Sequence, residues 1–262
     1  MSEPNILVAT DACGVATVTL NRPVIHNAFD DRLIADLDAA LRRLGADRAV
    51  RVVVLTGQGK SFSAGGDLNW MRRMATYSEA ENVADGMALA ELLRVLNELN
   101  KPTVARVNGA AFAGGIGLIC CCDIAVAAED AVFSIAEVRL GLVPATISPY
   151  VVNAIGARQA RRYFLTAERF SAAEGKRIGL VHETVPLAQL DAAVEAIVEA
   201  LLEGGASGQS RSKRLIDEVR DRPVTTQVQA LTARVIAEAC ASDEGREGLA
   251  AFFGKRKPGW RS

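Results

Sequence analysis

The chain has 262 residues, of which 50% are hydrophobic and 23% charged, enough apolar material for one large core or two modest ones. Its 30 Lys and Arg residues against 31 Asp and Glu give a formal net charge of -1. Such a balance supplies no field for gathering a phosphate backbone or an anionic lipid surface, so neither nucleic acid nor a membrane is expected as a partner.

The N-terminal segment carries Glu3 and Asp11 and lacks the basic start, apolar centre and cleavage site of a secretory signal, so a cytoplasmic protein is expected. Val15 to Leu20 is rich in β-branched residues and ends at Asn21-Arg22-Pro23, the pattern of a strand entering a turn. A helix should follow, capped by Asp30 or Asp31, with Leu33, Leu37, Leu41 and Leu44 on one stripe. Val52 to Leu55 is a continuous apolar run, as in a strand covered on both faces, and Thr56-Gly57-Gln58-Gly59 ends it. From Asp67 the periodicity is helical, with interruptions, to Asn100; Lys101-Pro102 then precedes a strand at Thr103 to Val107.

Asn108-Gly109 leads through Ala113-Gly114-Gly115 into a short apolar helix and a buried strand at Ile124 to Ala127. Gly109 to Ala128 approaches membrane-spanning length, but Asp123 and the glycines Gly109, Gly114, Gly115 and Gly117 favour turn, helix and strand instead. Cys120, Cys121 and Cys122 point in different directions from either kind of element and read as reduced core residues. Beyond Pro186 the pattern is wholly helical, with Leu187, Leu190, Val194, Ile197 and Leu201 on one stripe and Val224, Val228, Leu231 and Val235 on another. The expected division is a core at 1–186 and a helical region at 187–262, packed on the core or on another subunit.

Gly57-Gln58-Gly59-Lys60-Ser61 ends like a triphosphate-binding loop, yet the first glycine of that pattern falls at Val54, inside a strand. Gly115-Ile116-Gly117 begins a dinucleotide fingerprint whose third glycine position is Cys120. His26 and His182 are the only histidines and have no partner at ligand spacing, so no metal site is expected and each reads as a surface or turn residue.

Two segments remain: Ser61-Phe62-Ser63-Ala64-Gly65-Gly66-Asp67-Leu68 and Asn108-Gly109-Ala110-Ala111-Phe112-Ala113-Gly114-Gly115. Each lets backbone approach a ligand where a helix begins, and unbonded first-turn amides can hold a developing negative charge. Glycines that merely form tight turns would give the same pattern in either segment alone. Together with Lys101-Pro102-Thr103-Val104-Ala105-Arg106-Val107-Asn108-Gly109 and Cys122-Asp123-Ile124-Ala125, these blocks resemble the crotonase, or enoyl-CoA hydratase/isomerase, family from about Val15 to Pro258.

The resemblance implies an α/β fold, a spiral of ββα units with a C-terminal helical trimerisation region, and a homotrimer or hexamer. It also implies an acyl-CoA thioester as substrate, with coenzyme A part of that substrate and no separate cofactor. Gly66 and Gly114 would supply amides to the thioester oxygen. Ala64, Asp67 and Leu68 would border the adenine and pantetheine channel, Trp70 would join them in binding substrate, and Lys255 in the basic tail would approach the phosphates. Glu137 matches one catalytic glutamate of the hydratases; without the resemblance it would read as a salt bridge to Arg139 or a helix-start carboxylate.

The second hydratase glutamate is replaced by Gly117, which has no side chain to hold water or a proton. Hydration of a 2-enoyl-CoA through a stabilised enolate is the expected reaction. The alternatives are a 3,2-enoyl-CoA isomerase using the single glutamate and a noncatalytic CoA-binding scaffold. Asp67 to Arg72 and Glu137 to Tyr150 resemble bacterial methylglutaconyl-CoA or carboxygeranoyl-CoA hydratases of leucine and terpenoid breakdown. Arg72 or Arg73 would then pair with the extra substrate carboxylate, and Tyr150, Ser148 or that carboxylate would stand in for the missing glutamate.

Overall fold

A computed structural model describes residues 3–261. The chain runs β1 (Ile6–Thr10), β2 (Val15–Leu20), α1 (Asp31–Ala46), β3 (Val52–Gly57), β4 (Ser61–Ser63), α2 (Leu68–Met74) and α3 (Glu79–Asn97). It continues through β5 (Thr103–Val107), β6 (Ala110–Phe112), α4 (Gly114–Cys121), β7 (Ile124–Ala128), β8 (Val132–Ser134), α5 (Ser148–Thr166), β9 (Phe170–Ser171), α6 (Ala172–Ile178) and β10 (Glu183–Val185). Four helices follow: α7 (Leu190–Glu203), α8 (Ala206–Val219), α9 (Thr226–Ala241) and α10 (Asp243–Phe253).

Two sheets organise these elements. The larger has the order β1-β2-β3-β5-β7-β10, antiparallel between β1 and β2 and parallel elsewhere. The smaller, β4-β6-β8-β9, is parallel except between β8 and β9. The strand alternation decides what each face covers. Val53 and Leu55 of β3 join the main core with the Leu33, Leu37, Leu41 and Leu44 stripe of α1, whereas Val52 and Val54 pack on Leu190, Val194 and Val198 of α7. Helix α7, though inside the expected helical region, therefore covers the outer face of the larger sheet, and α8, α9 and α10 pack on one another beyond it.

The structure corrects some local expectations. The two glycine-rich junctions are not strand, turn and helix: a three-residue strand, β4 or β6, intervenes in each and belongs to the smaller sheet. Leu187 lies in a 3-10 turn and Val224 precedes α9, both exposed, so neither extends its helical stripe. Residues 110–128 form β6, α4 and β7, and no described helix is long and apolar enough to cross a membrane. Cys120, Cys121 and Cys122 are free thiols; burial pushes the Cys120 thiol up to about 12.

Candidate active site

The two sheets bring the glycine junctions side by side, because β4 and β6 are neighbours in parallel register. Gly65 takes a left-handed backbone (φ +84), and a Cβ there would lie 2.9 Å from Cβ of Ala113 in the other junction. A Cβ on Gly115 would lie 2.8 Å from the Ser63 carbonyl oxygen. The loops interlock at backbone distance, which only glycine permits at Gly65.

Each junction leaves the amide of its glycine, Gly66 or Gly114, unbonded by a different route. Phe29 N–H donates to the Gly65 carbonyl (2.6 Å) and the Asp67 N–H donates to the Phe29 carbonyl (2.7 Å), a parallel bridge that flanks Gly66. In that pattern the flanked residue turns its own N–H away from the partner strand. Gly114 is the first residue of α4, whose N-cap, Ala113, sits at φ 48, ψ -117 and offers no side-chain cap. That strained conformation costs about 1 to 3 kcal/mol and turns the following peptide. Among the described residues neither amide donates to a protein acceptor. The expectation that both amides belong to first helical turns holds for Gly114 only, since α2 starts at Leu68, beyond Gly66.

Both glycines line a cavity of about 890 Å³, together with Ala64, Leu68, Trp70 and Glu137. Glu137 opens a 3-10 turn after β8, and its Oε2 is buried with no hydrogen-bond partner. Burial raises its carboxyl pKa above the ordinary value, while a hydrogen bond from its own backbone amide pulls the other way. The ion pair with Arg139 that the sequence alone allows is not formed among the described residues. Unbonded amides and a buried carboxyl group lining one cavity can stabilise an oxyanion and move a proton beside it.

Residues 10–262 match the family model described as enoyl-CoA hydratase/isomerase. The chain belongs to that family. An enoyl-CoA hydratase from Shewanella pealeana superposes with a TM-score of 0.95 at 42% identity, covering 98% of this chain and 96% of that one. An enoyl-CoA hydratase of Mycobacterium smegmatis gives 0.93 at 32% identity, covering 99% of this chain and all of its own (100%). A crotonyl-CoA hydratase of Syntrophomonas wolfei is 30% identical over 259 residues, 98% of each chain. The protein is thus a family enzyme with the crotonase fold.

Against the family pattern, the vacancy at Gly117 is filled. A Cβ on Gly117 would lie 2.4 Å from Cγ2 of Ile147 and 3.4 Å from Cδ2 of Leu93, so buried aliphatic groups occupy the space beside it. Ile147 lines the cavity; Ser148 and Tyr150 do not, and Ser148 Oγ donates to the Ala145 carbonyl. Neither is therefore placed to replace the absent carboxylate.

Other expected residues divide. Trp70 is buried on the cavity wall and its Nε1 donates to Asp85 Oδ2 at 3.0 Å. Asp67 does not line the cavity: it caps α2, accepting from the amides of Asn69 (2.7 Å) and Trp70 (3.3 Å). Lys255, just past α10, does not line its own chain's cavity either. Arg72 does line it, whereas Arg73 pairs with Asp31 at 2.5 Å outside it. Sequence reading missed Phe29 and Ile147, which have no signature beyond being apolar; Asn27, in the left-handed region (φ 56) and fully buried, had only the tendency of asparagine to adopt that conformation.

Proposed function

We propose that this enzyme reversibly adds water across the 2,3 double bond of an enoyl-CoA thioester. The observation that carries the reading is the exposure of two unbonded amides, Gly66 and Gly114, to the same cavity as the buried, unpaired Oε2 of Glu137. The Glu137 carboxylate takes a proton from water as the water oxygen bonds to C3. The double-bond electrons move into the thioester, and the resulting enolate oxygen accepts from the two amides. The Glu137 carboxylic acid then returns the proton to C2. The step balances with substrate and water, and preorganised amides favour the enolate over the starting carbonyl.

Within that class we propose a branched, carboxylated acyl group such as 3-methylglutaconyl. Arg72 lines the cavity without a carboxylate partner among the described residues, its Nη1 bonded to Asn69 Oδ1 at 2.9 Å. Lys255 and the exposed Phe252 and Phe253 remain proposed contacts to coenzyme A and to other subunits of a trimer or hexamer.

A second reading, 3,2-enoyl-CoA isomerisation, is favoured by one observation: the space beside Gly117, where the second hydratase glutamate would stand, is filled by Ile147 and Leu93. Incubation in water labelled with heavy oxygen separates the two. Incorporation of label into a 3-hydroxyacyl product from 3-methylglutaconyl-CoA or a straight-chain 2-enoyl-CoA is the expected result. Migration of a 3,4 double bond with no label in any product overturns hydration in favour of isomerisation, and binding without turnover of any of these thioesters overturns both.

A further inference from the structure

Resting on the reading of Gly66 and Gly114 as the thioester-oxygen site, we propose that Arg22, outside the cavity, is a positioning residue that sets the spacing of the two amides through Phe29 and Asp67. The Arg22 side chain is 18% exposed and lies between two carboxylates that are 15% and 10% exposed. Its Nη2 meets Asp30 Oδ2 at 2.9 Å and Asp67 Oδ2 at 3.2 Å, while its Nη1 donates to the Ala28 carbonyl at 2.8 Å. Each carboxylate uses its other oxygen as a helix cap: Asp30 Oδ1 accepts from Leu33 of α1 and Asp67 Oδ1 from Asn69 of α2. One planar guanidinium therefore ties together two helix starts and the peptide leading into Phe29.

Phe29 lies where this tie acts on the site. Its backbone brackets Gly66 by the two hydrogen bonds described above, and its ring fills the space over Gly114, where a Cβ would lie 2.5 Å from Cε2. One residue thus touches both amide-bearing positions. The segment before it is fixed on the other side by Asn27, whose Nδ2 donates to the carbonyls of Ser61 (2.9 Å) and Phe62 (3.2 Å) and whose Oδ1 accepts from the Arg22 amide (2.9 Å). Ser63 Oγ donates to the Asn27 carbonyl at 2.9 Å, and the Ala64 amide to the His26 carbonyl, also at 2.9 Å. Residues 22–30, a 3-10 turn at Pro23–Ile25 that ends in the single bridge at Phe29, form a third segment of the site, carrying no group for the chemistry but gripping the loop that does.

An oxyanion site tolerates little looseness: a displacement of about 1 Å can cost on the order of a hundredfold in rate. The test binds cinnamoyl-CoA, a conjugated thioester whose absorbance moves to the red and whose carbonyl stretch falls as its oxygen accepts hydrogen bonds. Wild-type protein is expected to give both shifts. Arg22→Gln is expected to lose most of each shift and roughly 10- to 100-fold in kcat, with KM changed little. Arg22→Lys, which keeps the charge but not the fork, is expected to fall between and provides the measurement if the glutamine variant does not fold. Phe29→Leu should lose part of the shift through the Gly114 side alone.

Folded Arg22 variants that polarise the carbonyl as fully as wild type overturn the proposal. Absence of both shifts in the wild-type protein overturns instead the assignment of the amides on which it rests.

Discussion

The two glycine junctions perform similar tasks with opposite resources. The Gly66 junction is polar and heavily bonded: Asp67 caps α2, Arg22 neutralises Asp67, and the amide is freed because Phe29 pairs on either side of it. The Gly114 junction has no side-chain cap, and the α4 sequence Gly-Gly-Ile-Gly-Leu-Ile-Cys-Cys carries no charged residue. Its amide is free because a helix start is left uncapped, and the positive end of α4 adds to it. The proposed oxyanion site thus combines one amide that is withheld from a sheet with one that is withheld from a cap.

The largest expected effect concerns the carboxyl both junctions face. Glu137→Gln should lower kcat by about 10²- to 10⁴-fold, measured as enoyl-CoA hydration, while the cinnamoyl-CoA shifts survive because both amides remain. The same variant has a stability signature. The folded-state pKa of Glu137 is raised by burial, so its contribution to stability is present below the ordinary carboxylate range and is lost as pH rises through the raised value. Glutamine cannot ionise; the melting temperature of Glu137→Gln should match wild type in acid and exceed it increasingly toward neutral pH.

Next, the junctions should respond unequally to the same alteration. Gly114→Ala drives a methyl against the Phe29 ring at 2.5 Å, whereas at Gly66 the nearest atom is the flexible Met71 Sδ at 3.3 Å. Gly114→Ala should lose about 10²- to 10³-fold in kcat, the scale of a lost oxyanion donor, and Gly66→Ala far less. Equal losses would break the contrast.

A smaller effect belongs to the position one turn further along α4. Gly117→Glu overpacks Ile147 and should destabilise by about 1 to 3 kcal/mol, with the buried charge adding to it; Gly117→Glu with Ile147→Ala should recover part of the loss in denaturant unfolding. Smallest in its effect on stability, Asp67→Ala removes the α2 cap at a cost of about 1 kcal/mol in denaturant unfolding, and by breaking the tie to Arg22 it should also weaken the cinnamoyl-CoA shifts. No substitution on the α4 side has an equivalent cap to remove.

Much of this was legible before the structure. The β-branched run of β2, the α1 leucine stripe behind the Asp30 cap, and the unbroken apolar β3 each express one periodicity strongly enough to survive tertiary packing. The glycines at 66 and 114 were visible only through the family resemblance of the combined blocks, since either glycine-rich segment alone reads equally as a tight turn. β4 and β6 were not visible: three residues are too few to establish alternation, and they are strands only through pairing with distant segments, β4 with β6 and β6 with β8. Asp67 shows the limit of position alone, for its carboxylate lies beside the right loop but faces the helix amides and Arg22. Ile147 was invisible for a further reason: whether an absent side chain leaves a void or a packed wall depends on a residue thirty positions away in the chain.

The packing of Phe29 between both junctions also bears on how such a site can diversify. The Phe29 backbone holds one amide position and its ring packs on the other, so backbone shifts and side-chain changes at Phe29 reach different halves of the site. The cavity is also lined by side chains such as Leu140, Leu142 and Val143, which are half to two-thirds or more exposed and take no part in the hydrogen bonds around Gly66 and Gly114. Under the proposed function, new acyl preferences can accumulate at those side chains one substitution at a time, while the amide positions proposed to hold the thioester stay fixed.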